Sequence, residues 1–237
     1  MRADSDALIN ILKEIDAMTI RDVVASPDDG GLSIYAMDPA KTTIVVGKVK
    51  SAAFPDGCPF TQDTVLSIPF MLDALVKGKE CDISIDDGII SIKYGKSKRT
   101  RRLIEPESGP RPVPNLELTD KCILMSDDIV NVIKMSCFQD IKSDNDGISV
   151  SLLPEGVSFA VRSDVESADM FVEGTTDLTQ DDQTAIFGLK VLIPILKSLP
   201  KSTMVTFSMA TNMPIRIDVD EDTYSMIIYI APYIPQE

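Results

Sequence analysis

The amino-acid sequence predicts an α+β fold made of two tandem, similar domains, and three observations predict it. Four segments, residues 5–18, 67–76, 126–138 and 187–199, carry apolar side chains at helical spacing. Most of the remaining chain alternates apolar and polar residues in short runs separated by turn signals, the pattern of antiparallel strands. The interval between the first and second helix, about 61 residues, recurs between the third and fourth, which marks an internal duplication.

In the first helix the apolar face is Ala7, Leu8, Ile11, Leu12 and Ile15; in the third it is Ile129, Val132, Ile133 and Met135. Ser5 or Asp6, and Ser126 or Asp127, are suited to cap these helices because their short side chains accept a hydrogen bond from a first-turn N–H. Strands are expected at 32–37, 43–50, 81–85, 89–94 and 99–104 in the first half, and at 147–152, 157–162, 168–174, 204–209, 215–219 and 224–230 in the second. Asp28-Asp29-Gly30, Asp86-Asp87-Gly88 and Pro154-Glu155-Gly156 punctuate hairpins. Between the halves lies EPESGPRPVPNLELT, residues 105–119, whose four prolines favour extended backbone and keep it out of a sheet interior. The expected organisation is therefore a domain at 1–104, a connector at 105–119 and a domain at 120–237.

Composition narrows the functional classes. The 237 residues include neither histidine nor tryptophan, so histidine-dependent catalysis is excluded. Cys58, Cys81, Cys122 and Cys137 form no C-x-x-C pair, which suggests reduced structural thiols and neither a zinc site nor a redox motif. No phosphate-binding loop or dinucleotide fingerprint occurs. Apolar runs such as 191–196 and 226–230 fall far short of the ~18 residues a membrane helix needs. The N-terminal residues lack the apolar region of a secretory signal, so the expected location is cytoplasmic.

The net charge of −14, from 23 basic and 37 acidic residues, opposes binding of a polyanion unless the cations are segregated. They are segregated twice. Lys13, Lys77, Lys134, Lys190 and Lys197 fall on the expected helices, with Lys79 and Lys201 just beyond helix ends. Singly, such lysines are ordinary solvated residues; on one shared surface they would meet phosphates without reading bases. A second basic run, Lys96, Lys98, Arg99, Arg101 and Arg102, ends the first half, while Asp164, Glu166, Asp169 and Glu173 mark a strand of the second. Complementary strands on one chain suggest head-to-tail association, which closes into a ring when the rotation suits.

In order along the chain, Ser33-Ile34-Tyr35-Ala36-Met37-Asp38, Pro114-Asn115-Leu116-Glu117-Leu118, residues 202–209, Asn212-Met213-Pro214-Ile215-Arg216-Ile217 and Tyr229-Ile230-Ala231-Pro232-Tyr233-Ile234 resemble the proliferating cell nuclear antigen family of archaeal and eukaryotic sliding clamps. The resemblance implies the DNA clamp fold, with helices lining a channel and antiparallel sheets outside, assembled as a homotrimeric ring. It implies a non-enzymatic processivity factor with no cofactor, whose partners are double-stranded DNA of any sequence, DNA polymerase, an ATP-driven clamp loader and other proteins bearing a short peptide motif. Carried over by position, Lys13, Lys77, Lys79, Lys134, Lys190, Lys197 and Lys201 would face DNA. Arg99, Arg101 and Arg102 would meet Asp169, Phe171 and Glu173 of the next subunit. The partner-peptide pocket would be Met37, Ile44, Val113, Pro114, Leu116, Pro214, Ala231, Pro232 and Ile234.

The chain departs from the family pattern in several places. Only Met1–Asp4 precede the first helix, so the opening strand is expected to be clipped; Glu14 and Asp16 in that helix, and Asn131 at a position often basic, are expected to make the first-domain channel less positive; Tyr233 stands where the tail is usually basic; and the connector is short. Two alternatives remain open from sequence. One keeps the fold as a monomeric processivity factor or a checkpoint-type clamp subunit; the other is a hydrolase using the carboxylate pairs Asp86 with Asp87 or Asp181 with Asp182.

Overall fold

The structure is a computed structural model and describes residues 1–106, 112–136, 147–162, 166–179 and 182–233. The chain forms two compact units: residues 1–38, 44–113 and 220–226 make the first, and residues 39–43, 114–219 and 227–237 the second.

The first unit runs β1 (Arg2–Asp4), α1 (Ser5–Ala17), β2 (Asp22–Asp28), β3 (Gly31–Met37), β4 (Thr43–Val49), a 3₁₀ turn (Ser51–Ala53), β5 (Thr64–Ser67), α2 (Ile68–Ala74), β6 (Glu80–Asp86), β7 (Ile89–Tyr94) and β8 (Ser97–Arg102). Its strands lie in the orders β1-β6-β7-β8 and β5-β2-β3-β4. The second half runs β9 (Asp120–Met125), α3 (Ser126–Met135), β10 (Gly147–Leu153), β11 (Gly156–Arg162), β12 (Ser167–Glu173), β13 (Thr175–Asp177), β14 (Gln183–Gly188), α4 (Leu189–Ser198), β15 (Met204–Met209), β16 (Ile215–Asp220) and β17 (Tyr224–Ile230). Here the orders are β14-β10-β11-β12 and β9-β15-β16-β17, with the short β13 added beside β9. The two halves thus repeat one plan strand for strand.

Local chemistry accounts for most of these elements. α1 buries Ala7, Leu8, Ile11, Leu12 and Ile15 completely, the face that its periodicity predicts. Its cap is Asp4, one residue before the expected Ser5 or Asp6: the Asp4 carboxylate accepts the N–H of Asp6 at 2.9 Å, and Ser5 instead bonds the Tyr94 hydroxyl at 2.8 Å. α3 has no side-chain cap, because Ser126 Oγ accepts the N–H of Thr203. Its buried face is Ile129, Val130 and Ile133, whereas Met135 is 74% exposed, so the expected Val132 and Met135 contribute little to the core. The hairpin residues Asp29 and Gly30, and Asp87 and Gly88, all take positive φ, as a two-residue type I′ turn requires.

Six strands escape the sequence pattern. β1 forms despite the short N-terminal stretch, pairing Arg2–Asp4 with β6, so the clipped opening strand is present as three residues. β9 hides because its buried positions are Asp120, Cys122 and Leu124, so a carboxylate sits where alternation calls for an apolar side chain. β14 similarly buries Gln183 beside Ala185 and Phe187, and β2, β5 and β13 are short or end in proline and acid. In the second unit Phe159 and Phe207 meet edge to face with centroids 6.5 Å apart. In the first, Gly47 of β4 lets α1 lie directly on the sheet: a Cβ there would stand 2.4 Å from Cγ2 of Ile11.

Candidate functional site

In each unit the two helices pack against each other, α1 with α2 and α3 with α4. Lys13 projects from the exposed face of α1, Lys134 from the last turn of α3, and Lys190 from the first turn of α4; Lys197 is half-buried in the last turn of α4. Lys77 is not helical. α2 stops at Ala74 because Leu75 turns to extended backbone, so Lys77 and Lys79 sit with Gly78 in an exposed turn.

The same anchoring device appears twice. Asp6, in the first turn of α1, accepts the N–H of Gly78 at 2.8 Å, tying the Lys77–Lys79 turn to the start of that helix. Asp127, in the first turn of α3, accepts from the N–H and the hydroxyl of Ser202 at 3.2 and 2.9 Å, tying down the exposed Lys201. Each acid also suits the positive end of its helix dipole. Glu14 is fully buried and so adds no negative charge to the exposed face of α1, contrary to expectation; Asp16 is exposed there.

The two charged strands are both sheet edges. β8 ends the order β1-β6-β7-β8 with all six residues exposed, and β12 ends the order β12-β11-β10-β14. Their arginines are not equivalent. Arg99 and Arg101 lie opposite the buried Ile92 and Ile90 and turn toward α2, where Arg99 pairs with Asp73 and Arg101 sits 5.9 Å above the Phe70 ring. Arg102 lies on the other face, opposite Ile89. On β12, Asp169 pairs with Arg162 at 2.5 Å, Phe171 is 41% exposed and Glu173 is exposed. Glu166 precedes the strand, and Asp164 lies outside the described residues.

The expected pocket residues divide between the units. Met37, Ile44 and Val113 belong to the first; Pro114, Leu116, Pro214, Ala231 and Pro232 belong to the second; Ile234 lies outside the described residues. Met37 and Ile44 are direct cross-strand partners, both half-buried. Val113 is 49% exposed, and the second-unit group is half-buried throughout, so apolar surface remains accessible at each position.

Polar groups that the sequence did not single out fasten each end of the connector within its own unit. The Tyr35 hydroxyl donates to the Pro112 carbonyl at 2.9 Å, fastening the first-unit end of the connector to β3. At the other end Asp120, 2% exposed, accepts from the N–H and hydroxyl of Thr179 at 2.7 and 2.5 Å. Burial alone would raise the Asp120 pKa, but hydrogen bonds from Thr179, Thr119 and Gln183 outweigh it and hold the carboxyl below its usual range. Leu116 and Leu118 wall a cavity of about 270 Å³ with Lys121, Thr206, Ser208, Arg216 and Asp218. Arg216 is clamped by Asp218 at 2.6 Å and lies 5.8 Å over Tyr229. The alternation Arg216, Asp218 along one strand face was the available signal for that clamp.

The remaining chemistry is quiet. Cys81 and Cys122 are buried and Cys58 is half-buried; burial pushes all three thiols up, Cys122 to about 11, which suppresses the thiolate. Cys137 lies outside the described residues. Asp86 and Asp87 form a hairpin turn in which Asp87 takes φ 47°, a conformational role that accounts for the pair; Asp181 is not described. Among the described residues no helix is long and apolar enough to cross a membrane.

Comparison with known proteins gives one consistent picture. No protein-family profile matches the chain. It is 25% identical to a DNA polymerase sliding clamp of Natronomonas pharaonis over 89% of this chain and 88% of the relative. It is 25% identical to the proliferating cell nuclear antigen of Dictyostelium discoideum over 95% and 96%. Its fold is similar to that of the structure described as the C-terminal region of FEN-1 bound to A. fulgidus PCNA, at a TM-score of 0.84 and 18% identity, covering 100% of this chain and 98% of the other. The proliferating cellular nuclear antigen of Entamoeba histolytica matches at 0.84 and 17% identity, covering 98% of each chain.

Proposed function

We propose that this chain, a DNA sliding clamp of the proliferating cell nuclear antigen family, works as a closed homotrimer that encircles duplex DNA in the cytoplasm and carries replication proteins along it. The observation that carries the ring is the pair of open sheet edges of opposite charge: cationic β8 on one half of the duplication and acidic β12 on the other. A contact between unlike edges of identical copies is head-to-tail, and closing it covers both charged edges, each of which would otherwise invite aggregation.

A clamp needs no bond chemistry, so its role is not enzymatic. Topology prevents escape, while lysines at Lys13, Lys77, Lys79, Lys134, Lys190, Lys197 and Lys201 make screened contacts with phosphates that are lost and remade as the duplex moves. The flexible ammonium, a compact charge with rotatable donors, suits a contact that must not fix register. Residues 1–104 and 120–237 act as two similar domains joined by 105–119. Partner proteins, including a polymerase and a clamp loader, dock a peptide against Met37, Ile44, Val113, Pro114, Leu116, Pro214, Ala231, Pro232 and Ile234, as the C-terminal region of FEN-1 is bound to A. fulgidus PCNA. Rigid proline walls lose little entropy on binding, and half-exposed apolar groups supply contact area.

The test joins mass to topology. The chain should sediment at about three times its 25.9 kDa and, once loaded, remain on nicked circular DNA but run off a linear duplex. Replacing Lys13 and Lys134 with alanine removes six lysines from a trimer and should flatten the dependence of log affinity on log salt by up to roughly 5.4, about 0.9 for each lost phosphate contact. A monomeric mass, or equal retention on circular and linear DNA, overturns the reading.

A further inference from the structure

We propose that neighbouring copies join in one register: Thr100 of β8 opposite the next copy's Phe171 on β12, with Lys98 opposite Glu173 and Arg102 opposite Asp169. This rests on the ring reading and adds the pairing that the ring requires.

The backbone limits the choices first. In an antiparallel sheet successive residues point their N–H and C=O alternately to one neighbour and the other. Leu103 donates its N–H to the Gly88 carbonyl at 2.8 Å, so Leu103, Arg101 and Arg99 face β7, and Lys98, Thr100 and Arg102 face the open edge. Gly174 donates to the Glu155 carbonyl at 3.0 Å, so Val172, Met170 and Ala168 face β11, and Asp169, Phe171 and Glu173 face the open edge.

The side chains agree with the backbone. Lys98, Thr100 and Arg102 lie beside Lys93, Ser91 and Ile89, on the sheet face opposite buried Ile90 and Ile92. Asp169, Phe171 and Glu173 lie beside Ala160, Ser158 and Gly156, away from buried Val157, Phe159 and Val161. The residues that offer free backbone groups are therefore also the outward ones on both strands. A parallel joint would set each of them opposite an inward residue, continuing the core face of one sheet into the solvent face of the next. An antiparallel joint keeps the core faces together.

Antiparallel registers can then differ only in steps of two residues. In the proposed register both cations face carboxylates across the exposed Phe171. Shifted by two in one direction, Lys98 meets Phe171, Thr100 meets Asp169 and Arg102 meets Ser167; in the other, Lys98 meets Thr175, Thr100 meets Glu173 and Arg102 meets Phe171. Within β8 neither shift opposes a cation to an anion, the first bringing only Lys96 of the preceding turn abreast of Glu173, and a shift of four recovers a single ion pair with fewer residues opposed. The charges concerned are also available. Among the described residues Lys98, Arg102 and Glu173 make no ion pair, and Asp169 engages Arg162 through Oδ2 alone, whereas Arg99 and Arg101 are committed to Asp73 and Phe70 of their own α2.

The test is cysteine cross-linking. Directly opposed residues in such a ladder have Cα atoms about 5.5 Å apart, within disulfide reach, while residues offset by two are at the limit or beyond it. The double variant Thr100→Cys with Phe171→Cys should give covalent oligomers under mild oxidation, at least ten times the yield of either single variant. Thr100→Cys with Asp169→Cys, and Lys98→Cys with Phe171→Cys, should remain at the single-variant level. Cross-linking of a shifted pair, or of none, in chains that retain ring mass overturns the register and leaves the ring reading intact. A monomeric mass for the unmodified chain overturns both.

Discussion

Gly47 and Ile11 provide a sharp test of how α1, the helix that presents Lys13, is seated. A methyl group at position 47 would lie 2.4 Å from Cγ2 of Ile11 and 3.1 Å from its Cδ1, and Ile11 is fully buried. Relief requires a displacement of about 1 Å or more in a packed interior, which costs about 1–3 kcal/mol. Restricting the unfolded chain returns about 0.4–1 kcal/mol, because a strand position without positive φ accepts alanine. Gly47→Ala should therefore destabilise by about 1–2 kcal/mol, a fall in melting temperature of about 2–8 °C for a chain of this size. Ile11→Ala alone should cost about 2–5 kcal/mol through the emptied volume. In that background the added methyl enters the cavity, and burying it together with the entropy gain should raise stability by about 1–2 kcal/mol. Thermal and urea unfolding of the four proteins, followed by circular dichroism, reads the cycle. The outcome that refutes the packing is Gly47→Ala having the same sign in both backgrounds, with effects additive within about 0.5 kcal/mol.

Two further outcomes bear on the connector. Asp120→Ala should destabilise by about 1–3 kcal/mol at neutral pH, since it orphans the N–H and hydroxyl of Thr179. Because the folded carboxyl titrates below its ordinary value of about 4, its contribution is present above that value and disappears as pH falls through the lower, folded one. Urea titrations at pH 7 and below pH 3 should show the difference between wild type and Asp120→Ala shrinking in acid; a difference that grows would contradict the assigned direction. Leu116→Asp places a charge on the half-buried apolar face of the connector itself and should abolish polymerase stimulation while leaving the ring mass unchanged in sedimentation.

Particular residues separate what was legible in the chain from what was not. The face of α1, the hairpins at Asp29-Gly30 and Asp87-Gly88, and the strands Ile89–Tyr94, Met204–Met209 and Tyr224–Ile230 were readable because each depends on neighbours within a few positions. β9 was not, since Asp120 occupies a buried position made tolerable by hydrogen bonds that include those of Thr179, 59 residues away. The cap of α1 was misplaced for the same reason: Ser5 is drawn away by Tyr94, 89 residues on.

The duplication, the absence of histidine and the segregation of cations from anions were determined by the sequence alone, because composition and spacing survive without coordinates. Which cations are spent on partners within the chain and which stay uncommitted was decided only in three dimensions. Arg99, Arg101 and Arg102 look equivalent as letters, yet strand pairing sends the first two toward α2 and the third outward. Alternation along a strand states that adjacent side chains point oppositely; only the sheet and the helix packed on it determine which side is which.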